Sequence, residues 1–137
     1  MPIEIAAREQ EGIEILDLKG RLTFGEEDLQ LREELERLVR EKKIKVVMNL
    51  DDLHQIDTTG FGTLLFAQES LRGAGGGLAL ARLKPAHIEV LMKAKLEVVF
   101  DIFEDDQDAV NSFIPGRPAA RYDVLEFVRS NAPKPQQ

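Results

Sequence analysis

The stretch NLDDLHQIDTTGFGTLLFAQ, residues 49 to 68, joins the end of an apolar run to three aspartates, two adjacent threonines and two glycines, and then turns helical. The run before it, IKVVMNL at 44 to 50, is continuously apolar and of strand length. That pattern marks a strand covered on both faces, and so a central one. After it, Thr59 to Arg72 brings Phe61, Leu64, Leu65 and Leu71 to one face and ends at GAGGG, a helix stop. Between the two, DDLHQIDTTG reads as the loop at the carboxyl edge of a central strand, where open α/β sheets place their sites.

The flanks extend the alternation. Upstream, Ile3 to Ala7 and Ile13 to Leu18 read as a hairpin around REQEG, with Gly12 supplying the turn dihedral. In EEDLQLREELERLVREKK, Leu31, Leu35, Leu38 and Val39 recur at helical spacing. Glu33–Arg37 and Glu36–Arg40 stand four apart in the favourable order, and Thr23 with Glu26 has capping-box spacing. Downstream, LALARL at 78 to 83 reads as a second buried strand. Pro85 then opens a helix with Ile88, Leu91 and Met92 inward. VVFDIF at 98 to 103 reads as a last strand, and EDDQDAVNSF as a short helix with an acidic first turn.

Alternation of this kind predicts an α/β fold: one domain over residues 1–113, with a mixed, mainly parallel central sheet and about four helices. Residues 114–137, with four of the six prolines, read as a partly flexible C-terminal extension. A docked turn or short helix is expected at YDVLEFV and a frayed end at APKPQQ.

Composition narrows the function. At 137 residues with 43% hydrophobic and 31% charged content, the chain suits one globular domain. The absence of cysteine removes thiolate catalysis and cysteine metal sites, and His54 and His87 are too few for a histidine metal centre. A net charge of −7 opposes phosphate backbones, so no nucleic-acid partner is expected. With no basic-then-apolar leader and no apolar window of membrane length, a cytoplasmic protein without membrane insertion is expected.

At the turn itself two readings stand side by side. Asp57 or Thr58 caps the following helix by accepting its free amide hydrogens, or the pair carries function, with Gly60 and Gly62 clearing the approach of another surface. Asp51, Asp52, Asp57, Thr58 and Lys84-Pro85 share residue types with response-regulator receivers, yet the first four fall within eight residues rather than on successive strands. A magnesium site from these aspartates is chemically feasible, but solvated loop acids explain them better. His54 and His87 read as exposed. GAGGG lacks the lysine and hydroxyl residue of a P-loop. No nucleophile–base pair is evident, so no enzyme and no cofactor are expected.

NLDDLHQIDTTGFGTLLFA resembles the signature of the STAS domain family, in which a strand and short loop lead to Asp-Ser/Thr-Ser/Thr-Gly at a helix start. LKGRLTF, GGGLALARLKP and VVFDIFEDDQDAV fit the family in the same order, from about residue 3 to 113. The resemblance to its soluble members implies an anti-sigma factor antagonist. The dephosphorylated form would bind an anti-sigma factor that is itself a serine/threonine kinase, and so release a sigma factor. Phosphorylation would fall on Thr58, a phosphatase would reverse it, and Thr59 would be the neighbouring hydroxyl. The same resemblance assigns Gly20, Arg21, Leu22 and Thr23, with Asp57, Thr58, Thr59, Gly60 and Phe61, to the partner surface. The alternative it carries is a STAS scaffold or accessory subunit of a stress-sensing assembly or membrane transporter. The chain departs from the common antagonists in having threonine rather than serine as acceptor, and in carrying Arg21 and Thr23 where acids are frequent.

Overall fold

The computed structural model describes residues 3–131. Five strands make one sheet in the order β1 (Glu4–Gln10), β2 (Ile13–Leu22), β3 (Lys45–Ile56), β4 (Gly77–Ala81), β5 (Asp101–Phe103). The first pair is antiparallel and every later pair parallel. The helices are α1 (Glu26–Arg40), α2 (Thr58–Gly73), α3 (Pro85–Lys93), α4 (Asp106–Asn111) and α5 (Val124–Asn131). This is the mixed, mainly parallel α/β sheet that the alternation predicts.

The hairpin turns on Glu11 and Gly12, both at positive φ, the two-residue geometry that matches strand twist. The crossovers through α1, α2 and α3 all step the same way across the sheet, and right-handedness therefore puts these helices on one face. There Leu31, Leu35, Leu38, Phe61, Leu64 and Leu91 close over Leu16, Leu18, Val46, Met48, Leu50 and Leu80. The alternate strand positions, Ile15, Val47, Ala79 and Phe103, point the other way and meet Ala109 and Val110 of α4. Both faces of β3 are thus covered along 46–48, which explains its unbroken apolar run.

Several expectations change. The segment DDLHQI is not a loop: β3 runs on to Ile56, pairing with β2 as far as Leu22↔Ile56. On its other side β4 stops opposite Asn49, at Ala81, so residues 51–56 pair on one side only and most stay exposed. Two register shifts against β2 break the alternation that would have marked a strand. The last strand is short, since 97–100 form turns and only 101–103 pair. The Thr23–Glu26 capping box does not form: Gly25, at φ 122°, is the N-cap of α1, with no side-chain cap. Arg37 bonds Glu34 and Glu41 rather than Glu33.

The segment beyond Phe113 is tied to the sheet. Phe113, Ile114 and Ala119 pack under the second core cluster. Arg121 bridges to Phe103 and bonds Asp101 at 2.6 Å, the Tyr122 N–H donates to the Ile102 carbonyl at 2.8 Å, and Phe127 of α5 is buried. The frayed end expected at APKPQQ lies outside the described residues.

Candidate functional site

β3 ends at Ile56 and α2 begins at Thr58, so one residue, Asp57, makes the whole turn. Its backbone is extended, and its Oδ1 accepts the Gly60 N–H at 2.8 Å, a side-chain cap on a free amide of the first turn. Its Oδ2 accepts the Phe24 N–H at 3.4 Å, a long bond, and its own N–H donates to the Leu22 carbonyl at 3.4 Å. Asp57 therefore links the end of β2 to the start of α2. The cap reading is correct, and the capping residue is Asp57.

Gly60 is needed for an internal reason. A Cβ there would stand 2.3 Å from the Leu22 carbonyl oxygen and 2.7 Å from Ile56 Cγ1. The surface whose approach Gly60 clears is an internal one: it lets α2 sit against the end of β2. Gly62 is exposed with nothing within 4 Å of a Cβ, so it does leave open surface.

Thr58, the first helical residue, is exposed, as is Thr59. Among the described residues the Thr58 side chain has no hydrogen-bond partner. The Thr59 carbonyl accepts the hydroxyl of buried Thr63 at 3.2 Å. Beside them run Gly20, at φ 105°, exposed Arg21, buried Leu22 and half-buried Thr23. Arg21 donates to Glu27 at 2.9 Å. The Glu27 carboxyl lies below its ordinary range, held there first by its own backbone N–H and then by Arg21.

Of the residues assigned to a partner surface, Leu22, Gly60 and Phe61 are buried, the Phe61 ring packing 6.3 Å from that of Phe100. The Leu22 and Phe61 side chains cannot touch a docking protein without unpacking the core, and Gly60 has none to offer, so the three position Arg21, Thr23, Thr58 and Thr59. His54 is exposed but sits on β3, not on a loop. His87 is corrected outright. It is 2% exposed, its Nδ1 accepts the Lys84 N–H at 3.1 Å, and its N–H donates back to the Lys84 carbonyl. The buried Nε2 lies toward the Leu53 backbone without an ordinary hydrogen bond, and burial lowers the imidazole pKa. Among the described residues no three His, Asp or Glu side chains group to hold a metal ion.

Sequence reasoning overlooked Phe24 and Leu29, which are 81% and 57% exposed. With Gly25 as N-cap they occupy the N′ and N4 positions, where apolar side chains ordinarily close into a staple. Placing the cap at Thr23 hid that spacing.

The sequence profile of the STAS domain matches residues 4–109. The chain belongs to the STAS domain family. No curated protein matches the sequence. Among solved structures this STAS domain is similar to a Thermotoga maritima protein described as a candidate anti-sigma factor antagonist, at 18% identity and a TM-score of 0.73, covering 80% of this chain and 93% of that one. It is similar to the anti-sigma factor antagonist SpoIIAA in its unphosphorylated form, at 15% identity, TM-score 0.63 and coverage of 82% and 99%. The phosphorylated form from Bacillus superposes comparably, at 16%, 0.61, and 80% and 98%. A sulfate transporter family protein from Wolinella succinogenes is also similar, at 17% identity, TM-score 0.61 and coverage of 88% and 90%. At these identities the likeness is one of fold. STAS domains are typically regulators without enzymatic activity, and among the described residues no helix is long and apolar enough to cross a membrane.

Proposed function

We propose that this STAS domain is an anti-sigma factor antagonist switched at Thr58. Dephosphorylated, it binds an anti-sigma factor that is also a serine/threonine kinase and releases a sigma factor; phosphate on Thr58 ends that binding and a phosphatase restores it. The supporting observation is the exposed Thr58 hydroxyl, without a hydrogen-bond partner among the described residues, on the first residue of α2, beside a cap that Asp57 already supplies. A phosphoryl group there adds about −1.5 to −2 charges and three acceptor oxygens. The free amides and positive end of α2 tolerate that charge within the domain. A docked partner meets a dianion next to Asp57, with desolvation and like-charge costs. Incubation with the cognate kinase and ATP should place phosphate on Thr58 by mass spectrometry. Phosphate found consistently elsewhere, or none with any cognate kinase, defeats the assignment.

Similarity to a transporter-family STAS protein over nearly the whole of both chains favours a second reading, an accessory subunit or scaffold that docks by the same edge. Light scattering after size-exclusion chromatography separates the two: a large homomeric particle supports the scaffold, a monomer or dimer the antagonist.

A further inference from the structure

We propose that Phe24 and Leu29 are the apolar anchor by which the anti-sigma partner holds the Thr58 edge, and that the partner presents an apolar pocket with a basic rim. The inference rests on the reading above and adds to it the residues that supply affinity. Phe24 precedes the N-cap of α1 and Leu29 lies one turn into the helix, the spacing at which two apolar side chains cover each other. Here they leave each other open, at 81% and 57% exposure. A large aromatic side chain left in water beside a proposed switch is of the kind enriched in interfaces, where burying its ring contributes strongly to binding.

Phe24 is also wired to the switch. Its N–H donates to Asp57 Oδ2, the carboxylate whose other oxygen caps α2 one residue before Thr58. A phosphoryl group on Thr58 would place negative charge one residue along the chain from Asp57, whose carboxylate accepts this long 3.4 Å bond, so the anchor's backbone and the switch share one neighbour. The charge around the anchor selects the partner's rim. The first turn of α1 carries Glu26, Glu27 and Asp28, and Asp57 bonds the Phe24 N–H; Arg21 offsets Glu27, and Arg32, also stacked on Phe66, offsets Asp28, which leaves the carboxylates of Glu26 and Asp57 without a cation of their own among the described residues. Acidic surroundings on a chain of net charge −7 complement a basic rim and disfavour an acidic one.

The test is calorimetric titration of the dephosphorylated full chain with the purified kinase that phosphorylates Thr58. Phe24→Ala and Leu29→Ala should each weaken binding roughly tenfold or more, Phe24→Leu less than Phe24→Ala, and added salt should weaken the wild type. Leu125→Ala, which removes an equally exposed apolar side chain from α5, should bind as wild type. Because these positions are exposed, thermal unfolding should be unchanged in all four variants. If the wild type binds while Phe24→Ala and Leu29→Ala bind equally well, the anchor is overturned and the antagonist reading stands. If wild-type affinity ignores salt, the basic rim is overturned. If the wild type binds no such kinase, both readings fall.

Discussion

The carbonyl oxygen of Leu22 lies 2.3 Å from the point where a Cβ on Gly60 would stand. β2 and α2 meet there backbone to backbone, and only glycine fits. Gly60→Ala should therefore destabilise the fold by about 1–3 kcal/mol, the usual scale of overpacking. Gly62→Ala, two residues along the same helix with open space around it, should instead stabilise by about 1 kcal/mol through helix propensity. Urea unfolding of the two variants checks the contrast.

Asp57 gives a second prediction. Replacing it by alanine removes the acceptor of the Gly60 N–H and should cost about 1 kcal/mol, within the usual range for a lost N-cap. Asp57→Asn keeps an acceptor oxygen and should retain most of that stability. Unfolding midpoints of the two variants, at unchanged m-value, test the point.

Thr58→Glu should leave thermal stability within about 0.5 kcal/mol of wild type, because the side chain is exposed and the new charge faces a helix N-terminus. Thr63→Glu should disrupt the fold, since Thr63 is fully buried and bonded to the Thr59 carbonyl. Circular dichroism melts separate the two threonines.

The buried His87 makes stability depend on pH. Its folded-state pKa lies below the ordinary histidine value, chiefly through burial, so the unfolded chain takes up a proton first as pH falls. The contribution is intact above the unfolded pKa and is lost progressively below it, down to the folded pKa. Stability should begin to decline as pH falls through the ordinary histidine value of about 6.5. His87→Asn, which still offers Lys84 N–H an acceptor, should flatten that decline in a urea titration at stepped pH.

Phe127 tests the C-terminal segment. It is 9% exposed, so Phe127→Ala should lower stability by about 2 kcal/mol. A melting temperature unchanged from wild type would mean that α5 contributes nothing to the folded domain.

What could be read from sequence followed the strength of each periodic pattern. The run 44–50 and the leucines of α1 announce themselves because burial constrains every position. Residues 51–56 did not, since a strand paired on one side and shifted in register shows acids where a buried strand shows valine. Phe24 and Leu29 were missed because a glycine N-cap leaves no side-chain mark, while Thr23 with Glu26 mimics a box. His87 was misread for a different reason. Nothing in PAHIEVL separates a polar residue facing outward from one whose ring nitrogen accepts a backbone hydrogen under the helix. At the site the order Asp-Thr-Thr-Gly was legible, whereas the division of labour within it, a cap, an exposed hydroxyl, a carbonyl that accepts the buried Thr63 hydroxyl and a close-packed glycine, needed coordinates.

Gly76 completes the account of α2. A Cβ there would stand 1.9 Å from the Ile44 carbonyl oxygen, which also accepts the Gly77 N–H at 2.9 Å. The helix is thus seated near both ends by close main-chain contacts, through Gly60 in its first turn against the end of β2 and through Gly76, just past its last turn, against Ile44, the residue before β3. Sliding or pivoting α2 as a rod would disturb one or both of these close contacts. A mark written at Thr58 would have to be read in place, as altered charge on a fixed surface, and a lever-like stroke carried to the far end of the sheet would require both glycine seats to open.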